Sequence, residues 1–109
     1  MSKQINTDLL FKAIADPTRR KIFHVLVVAA SAMSITQIAK DFDMTRQGVT
    51  KHIKTLESAG LVEIKTEGRE RFCFPNTKPL KEIKNWLNFY EQFWDNALDQ
   101  LGSYLDQKK

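Results

Sequence analysis

The sequence predicts a mainly α-helical domain that carries one small β-hairpin. Three observations lead there. Apolar residues recur at helical spacing in five separate stretches. Two short β-type runs flank a glycine turn between residues 62 and 74. A very short helix meets a longer one at a tight turn just before that hairpin.

Thr7 to Ala15 places Leu10, Phe11 and Ile14 at helical spacing, and Asp16-Pro17 ends it, because the residue before proline avoids the α region. The same pair opens a second helix, with Asp16 as N-cap and Pro17 at the first position. Ile22, Phe23, Leu26 and Val27 then form one buried face. Ser34-Ile35-Thr36-Gln37 reads as a capping box for a short third helix, with Ile35, Ile38 and Ala39 inward, stopping near Phe42-Asp43-Met44. Thr45 caps a fourth helix that runs to about Ala59. Gly60 follows as a left-handed stop, with Leu61 making the apolar contact. Val62 to Thr66 and Arg71 to Phe74 are the strands, joined through Glu67-Gly68-Arg69-Glu70, with Phe72 and Phe74 alternating against Arg71 and Cys73. Pro79 opens the last helix, to about residue 106. The order is a winged helix-turn-helix, one domain over residues 1–109 with a recognition helix at about 45–59 and a wing at about 62–74.

The chain of 109 residues fits one domain, and 42% hydrophobic with 28% charged residues excludes a disordered class. The longest apolar run, Val25 to Ala30, is far short of the ~20 residues of a membrane span, so no membrane partner is expected. Met1 to Asp8 lacks the apolar core of a secretory signal, and the lone Cys73 cannot form an internal disulfide; both point to the cytoplasm. The net charge of +4 permits nucleic acid without demanding it. Residues 1–33 carry +3 (five basic, two acidic), 34–72 carry +1 (seven, six) and 73–109 are neutral (five, five). The position of the charges therefore has to decide.

On the fourth helix Val49, Ile53 and Leu56 lie at i, i+4 and i+7 and should face the core. The opposite face presents Gln47, Thr50, Lys51 and Lys54, with Arg46 at its flank. From Thr45 to Leu56 there are three basic residues and no acid. Such a face fits the major groove of B-DNA: Arg and Gln pair with guanine and adenine edges, Thr touches a thymine methyl, and Lys reaches phosphates. A plain solvated face is the alternative, although surface helices usually mix signs. Thr36, Thr45 and His52 join the expected DNA contacts, with Lys65, Arg69 and Arg71 of the wing on the phosphate backbone, diluted by Glu67 and Glu70.

These residues resemble a known family. Ala15-Asp16-Pro17-Thr18-Arg19-Arg20-Lys21-Ile22 is similar to the opening signature of ArsR-type repressors, Ser34 to Val62 to their helix-turn-helix, and Gly68-Arg69-Glu70-Arg71 to their wing. Trp86 to Tyr90 and Phe93-Trp94 resemble the last helix of one large branch. The resemblance spans about Thr7 to Leu105. It implies a cytoplasmic prokaryotic homodimer that binds an inverted-repeat operator in double-stranded DNA and represses transcription, with base contacts from Thr45 to Lys54 and pairing through the first and last helices. Two departures stand out. Asp43 occupies a turn position where the family usually has glycine, and it tolerates a positive φ better than most residues. Gly48 falls where alanine is common, and close packing on the preceding helix is favoured over close approach to DNA as its reason.

Metal-sensing members use cysteine pairs beside the third helix or His and carboxylate ligands on the last. Neither set is present, so no metal or cofactor is expected, and no motif specifies a small-molecule effector. His24 reads as a core-edge residue and Cys73 as structural. Glu91, Asp95 and Asp99 form an acidic stripe on the last helix, read as a solvated face. That helix is otherwise rich in aromatic residues. Trp86, Phe89, Tyr90, Phe93, Trp94 and Tyr104, with Leu98 and Leu101, exceed what a small monomer can bury. A dimer interface with help from Leu10 and Phe11 is the simplest account, and a hydrophobic ligand pocket between paired helices is the alternative. No nucleophile with a base, carboxylate pair or phosphate loop suggests an enzyme. A winged-helix protein-interaction module without specific DNA binding remains the second functional class.

Overall fold

Asp16-Pro17 divides the first helical stretch in two. α1 spans Thr7–Ala15 and α2 spans Pro17–Ala29 in the computed structural model, which describes residues 6–107, and side chains throughout except at 95–101 and 103–107. Asp16 is extended, with φ −88° and ψ 127°, and its carboxylate accepts from the Arg19 N–H at 2.9 Å. A helix leaves its last four carbonyls without intrahelical donors. At the end of α1 two arginines of α2 supply them. Arg19 donates to the carbonyls of Lys12 and Ala13, each at 2.9 Å, and Arg20 to those of Ile14 at 2.7 Å and Ala15 at 3.2 Å.

Among the described residues there are five helices and three strands, one strand more than expected. β1, Met33–Ser34, pairs antiparallel with β3, Glu70–Pro75, whose other edge pairs with β2, Val62–Glu67. Two residues show no alternation to read, and they form a strand because β3 would otherwise leave an open edge. The hairpin loop is also tighter, since Glu67 pairs with Glu70 around Gly68 and Arg69. A positive φ of 60° at Gly68, and none at Arg69, is the pattern of a type II′ turn.

α3 spans Ile35–Asp41 and buries Ile35, Ile38 and Ala39. Ser34 Oγ accepts from the Gln37 N–H at 3.1 Å, but only that half of the capping box forms. The Gln37 amide donates instead to the Asp41 carboxylate at 2.8 Å, a charged acceptor one turn ahead. Asp43 takes the left-handed step of the turn at φ 52°. α4 then spans Arg46–Ser58, with Thr45 Oγ1 accepting from the Gly48 N–H at 3.0 Å. A Cβ at Gly48 would meet Thr45 Oγ1 at 3.1 Å and the Met44 methyl at 3.4 Å. Its close neighbours are the cap and the turn, not α3, which corrects the helix-packing expectation.

α4 ends in a full Schellman motif. The Leu61 N–H donates to the Leu56 carbonyl at 3.0 Å and the Gly60 N–H to that of Glu57 at 2.9 Å, with Gly60 at φ 79°. Leu61 is buried against the core shared with Leu56, Leu26, Ile22, Ile38 and Leu10. α5, Leu80–Gln107, leaves this core and lengthens the molecule to 68 × 38 × 22 Å.

Two substitutions should move stability in opposite directions. Gly60→Ala puts a Cβ in the left-handed region, 3.4 Å from the Pro79 ring, and should cost ~1–2 kcal/mol. Ala30 ends α2 at φ 52°, so Ala30→Gly should gain about 0.5–1 kcal/mol. Urea melts of the two variants check the signs.

Candidate nucleic-acid interface

Burying Val49, Ile53 and Leu56 leaves the other side of α4 no place in the core. That side faces an open groove of about 610 Å³ between α3, α4 and β3, lined by Ile35, Thr36, Arg46, Gln47, Thr50, Lys51 and Arg71. Six residues expected at DNA thus converge from three elements. Three of them are cations, and no acid lines the groove. The Thr50 hydroxyl donates to the Arg46 carbonyl at 2.7 Å, so it meets an incoming group as an acceptor or through its methyl.

The other expected contacts surround the groove. Thr45 is occupied as the N-cap of α4. Lys54 lies 3.6 Å from Glu57, an exposed pair of small energetic weight that leaves the lysine available. Lys65 rests over the Phe74 ring at 5.1 Å, and Arg69 sits exposed in the hairpin loop. His52 is half-buried with Nδ1 3.5 Å from Nη1 of Arg19. No role had been expected of Arg19. Its partners lie 6, 7 and 33 residues away, so only the folded arrangement of α1, α2 and α4 reveals it.

Two groups titrate away from their ordinary ranges. The Arg19 N–H donated to Asp16 holds that carboxyl below 3.8, with the Arg19 guanidinium charge adding to the effect. Burial pushes the Cys73 thiol up from 9.0 to about 11. Among the described residues no three His, Cys, Asp or Glu gather as a metal site, and no helix is long and apolar enough to cross a membrane.

The residues expected at a dimer interface divide. Leu10 is 0% exposed inside the chain's own core and has no surface left for a partner, because it fills the space beneath α2 and α4. Phe11 is half-buried with its ring edge-on to Trp86 at 5.1 Å. On α5, Trp86, Phe89, Phe93 and Trp94 are 47%, 57%, 52% and 49% exposed, and Tyr90 stands between them. Leu98, Leu101 and Tyr104, with Asp95 and Asp99 of the acidic stripe, lie outside the described side chains; Glu91 is exposed.

The helix-turn-helix domain family matches residues 14–65. The HTH-type transcriptional regulator YuzN of Bacillus subtilis is 40% identical over 88 residues, covering 75% of this chain and 96% of its own. The crystal structure of an ArsR family transcriptional regulator superposes with a TM-score of 0.72 at 31% identity, over 82% of this chain and 96% of that one. The chain belongs to the ArsR family. It is a winged helix-turn-helix, DNA-binding transcriptional regulator. The transcriptional repressor SdpR of Bacillus subtilis is also similar, 32% identical over 89 residues, covering 82% of this chain and 97% of its own. In this ArsR-family chain the only cysteine is part of the core and lies on β3 between the half-buried Phe72 and Phe74.

Cys73 should therefore resist thiol reagents in the folded protein and react at once in urea. The unfolded thiol loses its proton near pH 9 and the folded one near 11, so this group's contribution falls as pH rises between those values. Denaturation across that window, with Cys73→Ala lacking this component, checks the sign.

Proposed function

We propose that the chain works as a homodimeric repressor that binds an inverted-repeat operator in double-stranded DNA through the groove between α3, α4 and β3. The observation that carries this reading is the convergence of Thr36, Arg46, Gln47, Thr50, Lys51 and Arg71 on one acid-free groove. Arg46, Gln47 and Thr50 read base edges in the major groove. Lys51, Lys54 and His52 hold phosphates, with Thr36 and Thr45 beside them, while Lys65, Arg69 and Arg71 carry the wing along the adjacent backbone. Similarity to a named repressor supports repression over activation. The protein acts in the cytoplasm, where the DNA is, and by occupancy rather than by catalysis.

The exposed row from Trp86 to Trp94 supports pairing through α5, with Phe11 of α1 at its edge. A two-fold there would set two recognition helices about one turn of DNA apart, ~34–36 Å.

Arg46→Ala should relax preference at one base pair per half-site, at a cost of about 1–3 kcal/mol, whereas Lys51→Ala should weaken every sequence and lower the salt slope by about one. Fluorescence titrations with promoter fragments and random duplex separate the two, and equal wild-type affinity for both DNAs would overturn the operator reading. Phe89→Glu should give monomers in sedimentation velocity together with lost operator binding. A dimeric Phe89→Glu would place the pairing surface elsewhere.

A further inference from the structure

We propose that Arg19 is a positioning residue for DNA binding, tying the end of α1 to His52 on the recognition helix and selecting the tautomer of that histidine. The inference rests on the reading of α4 as the DNA-contacting helix.

The geometry is a fork. A guanidinium offers five N–H donors and no acceptor. Nε and Nη2 of Arg19 are committed to the Ala13 and Lys12 carbonyls, both at 2.9 Å, which fixes the plane of the group. Nη1 then stands 3.5 Å from His52 Nδ1. Because Arg19 only donates, that contact is attractive when Nδ1 carries a lone pair, with the imidazole neutral and its proton on Nε2. An imidazolium would set two cations against each other. Arg19 thus leaves His52 with an Nε2–H donor for a phosphate oxygen, while not lining the groove itself. The backbone of Arg19 is held as well, its N–H bound to the Asp16 carboxylate at 2.9 Å. Lysine has one nitrogen and cannot span two carbonyls and a ring.

The fork also joins two regions of the fold. α1 carries Phe11, whose ring packs on Trp86 at the start of the aromatic row. Arg19 is a polar link from the helix that touches this row to the helix that lines the groove.

The test uses the full chain with Arg19→Met, Arg19→Lys, His52→Ala and the double variant Arg19→Met/His52→Ala. Long-range proton–nitrogen spectra should show the wild-type His52 as the Nε2–H tautomer and the Arg19→Met protein as a mixture. Binding to promoter fragments should weaken about tenfold in Arg19→Met and in Arg19→Lys at unchanged salt slope, and the double variant should lose no more than His52→Ala alone. Wild-type affinity in Arg19→Lys, a slope reduced by about one, or losses that add would each overturn the proposal. If Arg19→Met fails to fold by circular dichroism, Arg19→Lys keeps stem and charge and carries both readouts. If the wild-type protein binds no promoter DNA, the groove reading fails, and the tautomer measurement still decides whether the clasp exists.

Discussion

The rotation of α4 about its own axis is the constraint on which the rest depends. Val49, Ile53 and Leu56 are buried to 1% exposure or less, and burial of each is worth on the order of 2 kcal/mol. Turning the helix by one residue would swing these three toward water and press Arg46 or Lys51 into an apolar core without partners, where an unpaired charge costs far more than the lost burial. The ends are fixed too. Thr45 closes the first turn, and the Gly60 motif both stops the helix and directs Leu61 and Val62 into the core. The start of β2 therefore follows from the end of α4, and through β3 so does the position of Arg71 across the groove.

The corner between α1 and α2 explains why charge along the chain is a poor guide to its use. Residues 1–33 are the most basic third, yet Arg19 and Arg20 are spent on the carbonyls of Lys12, Ala13, Ile14 and Ala15. These guanidiniums complete the end of α1, where the helix dipole also favours cations. The middle segment has a smaller excess but sorts it by face, with Arg46, Lys51 and Arg71 on the groove. Local sorting, not net charge, produces the electropositive surface.

What was legible in the sequence is what short-range chemistry decides. Asp16 and Thr45 as caps, Asp43 and Gly60 at positive φ, and Val49, Ile53 and Leu56 as a buried face all follow from spacings of a few residues. What was not legible needs a partner far along the chain. β1 exists only because Cys73 and Phe72 lie across from it. Leu10 and Phe11 are adjacent apolar residues of one helix, but Leu10 is buried in the core cluster with Ile22, Leu26, Ile53 and Leu56, whereas Phe11 stays half-buried. The Gln37 amide could accept from the Ser34 N–H or donate to the Asp41 carboxylate, and the bond to the charged group forms. Arg19 belongs to the same class, a surface-type residue until three helices meet around it.

The aromatic row on α5 is organised before any partner arrives. Trp86 meets Tyr90, and Phe89 meets Phe93, one turn apart at ring separations of 5.1 and 5.4 Å, while Phe89 also lies perpendicular to Tyr90 at 5.1 Å. Each such contact limits rotamers that association would otherwise have to freeze, and immobilising a large side chain costs about 0.5–1.5 kcal/mol. In the proposed dimer, a preformed ladder would make pairing less costly and set its register, since the partner must fit rings already placed. Pairing of two chains doubles the formal charge of +4 and brings two acid-free grooves onto one polyanion, where counterion release grows with every phosphate contacted. In the proposed dimer, apolar pairing on α5 and electrostatic binding on α4 act in series, because the first supplies the second groove that the second requires.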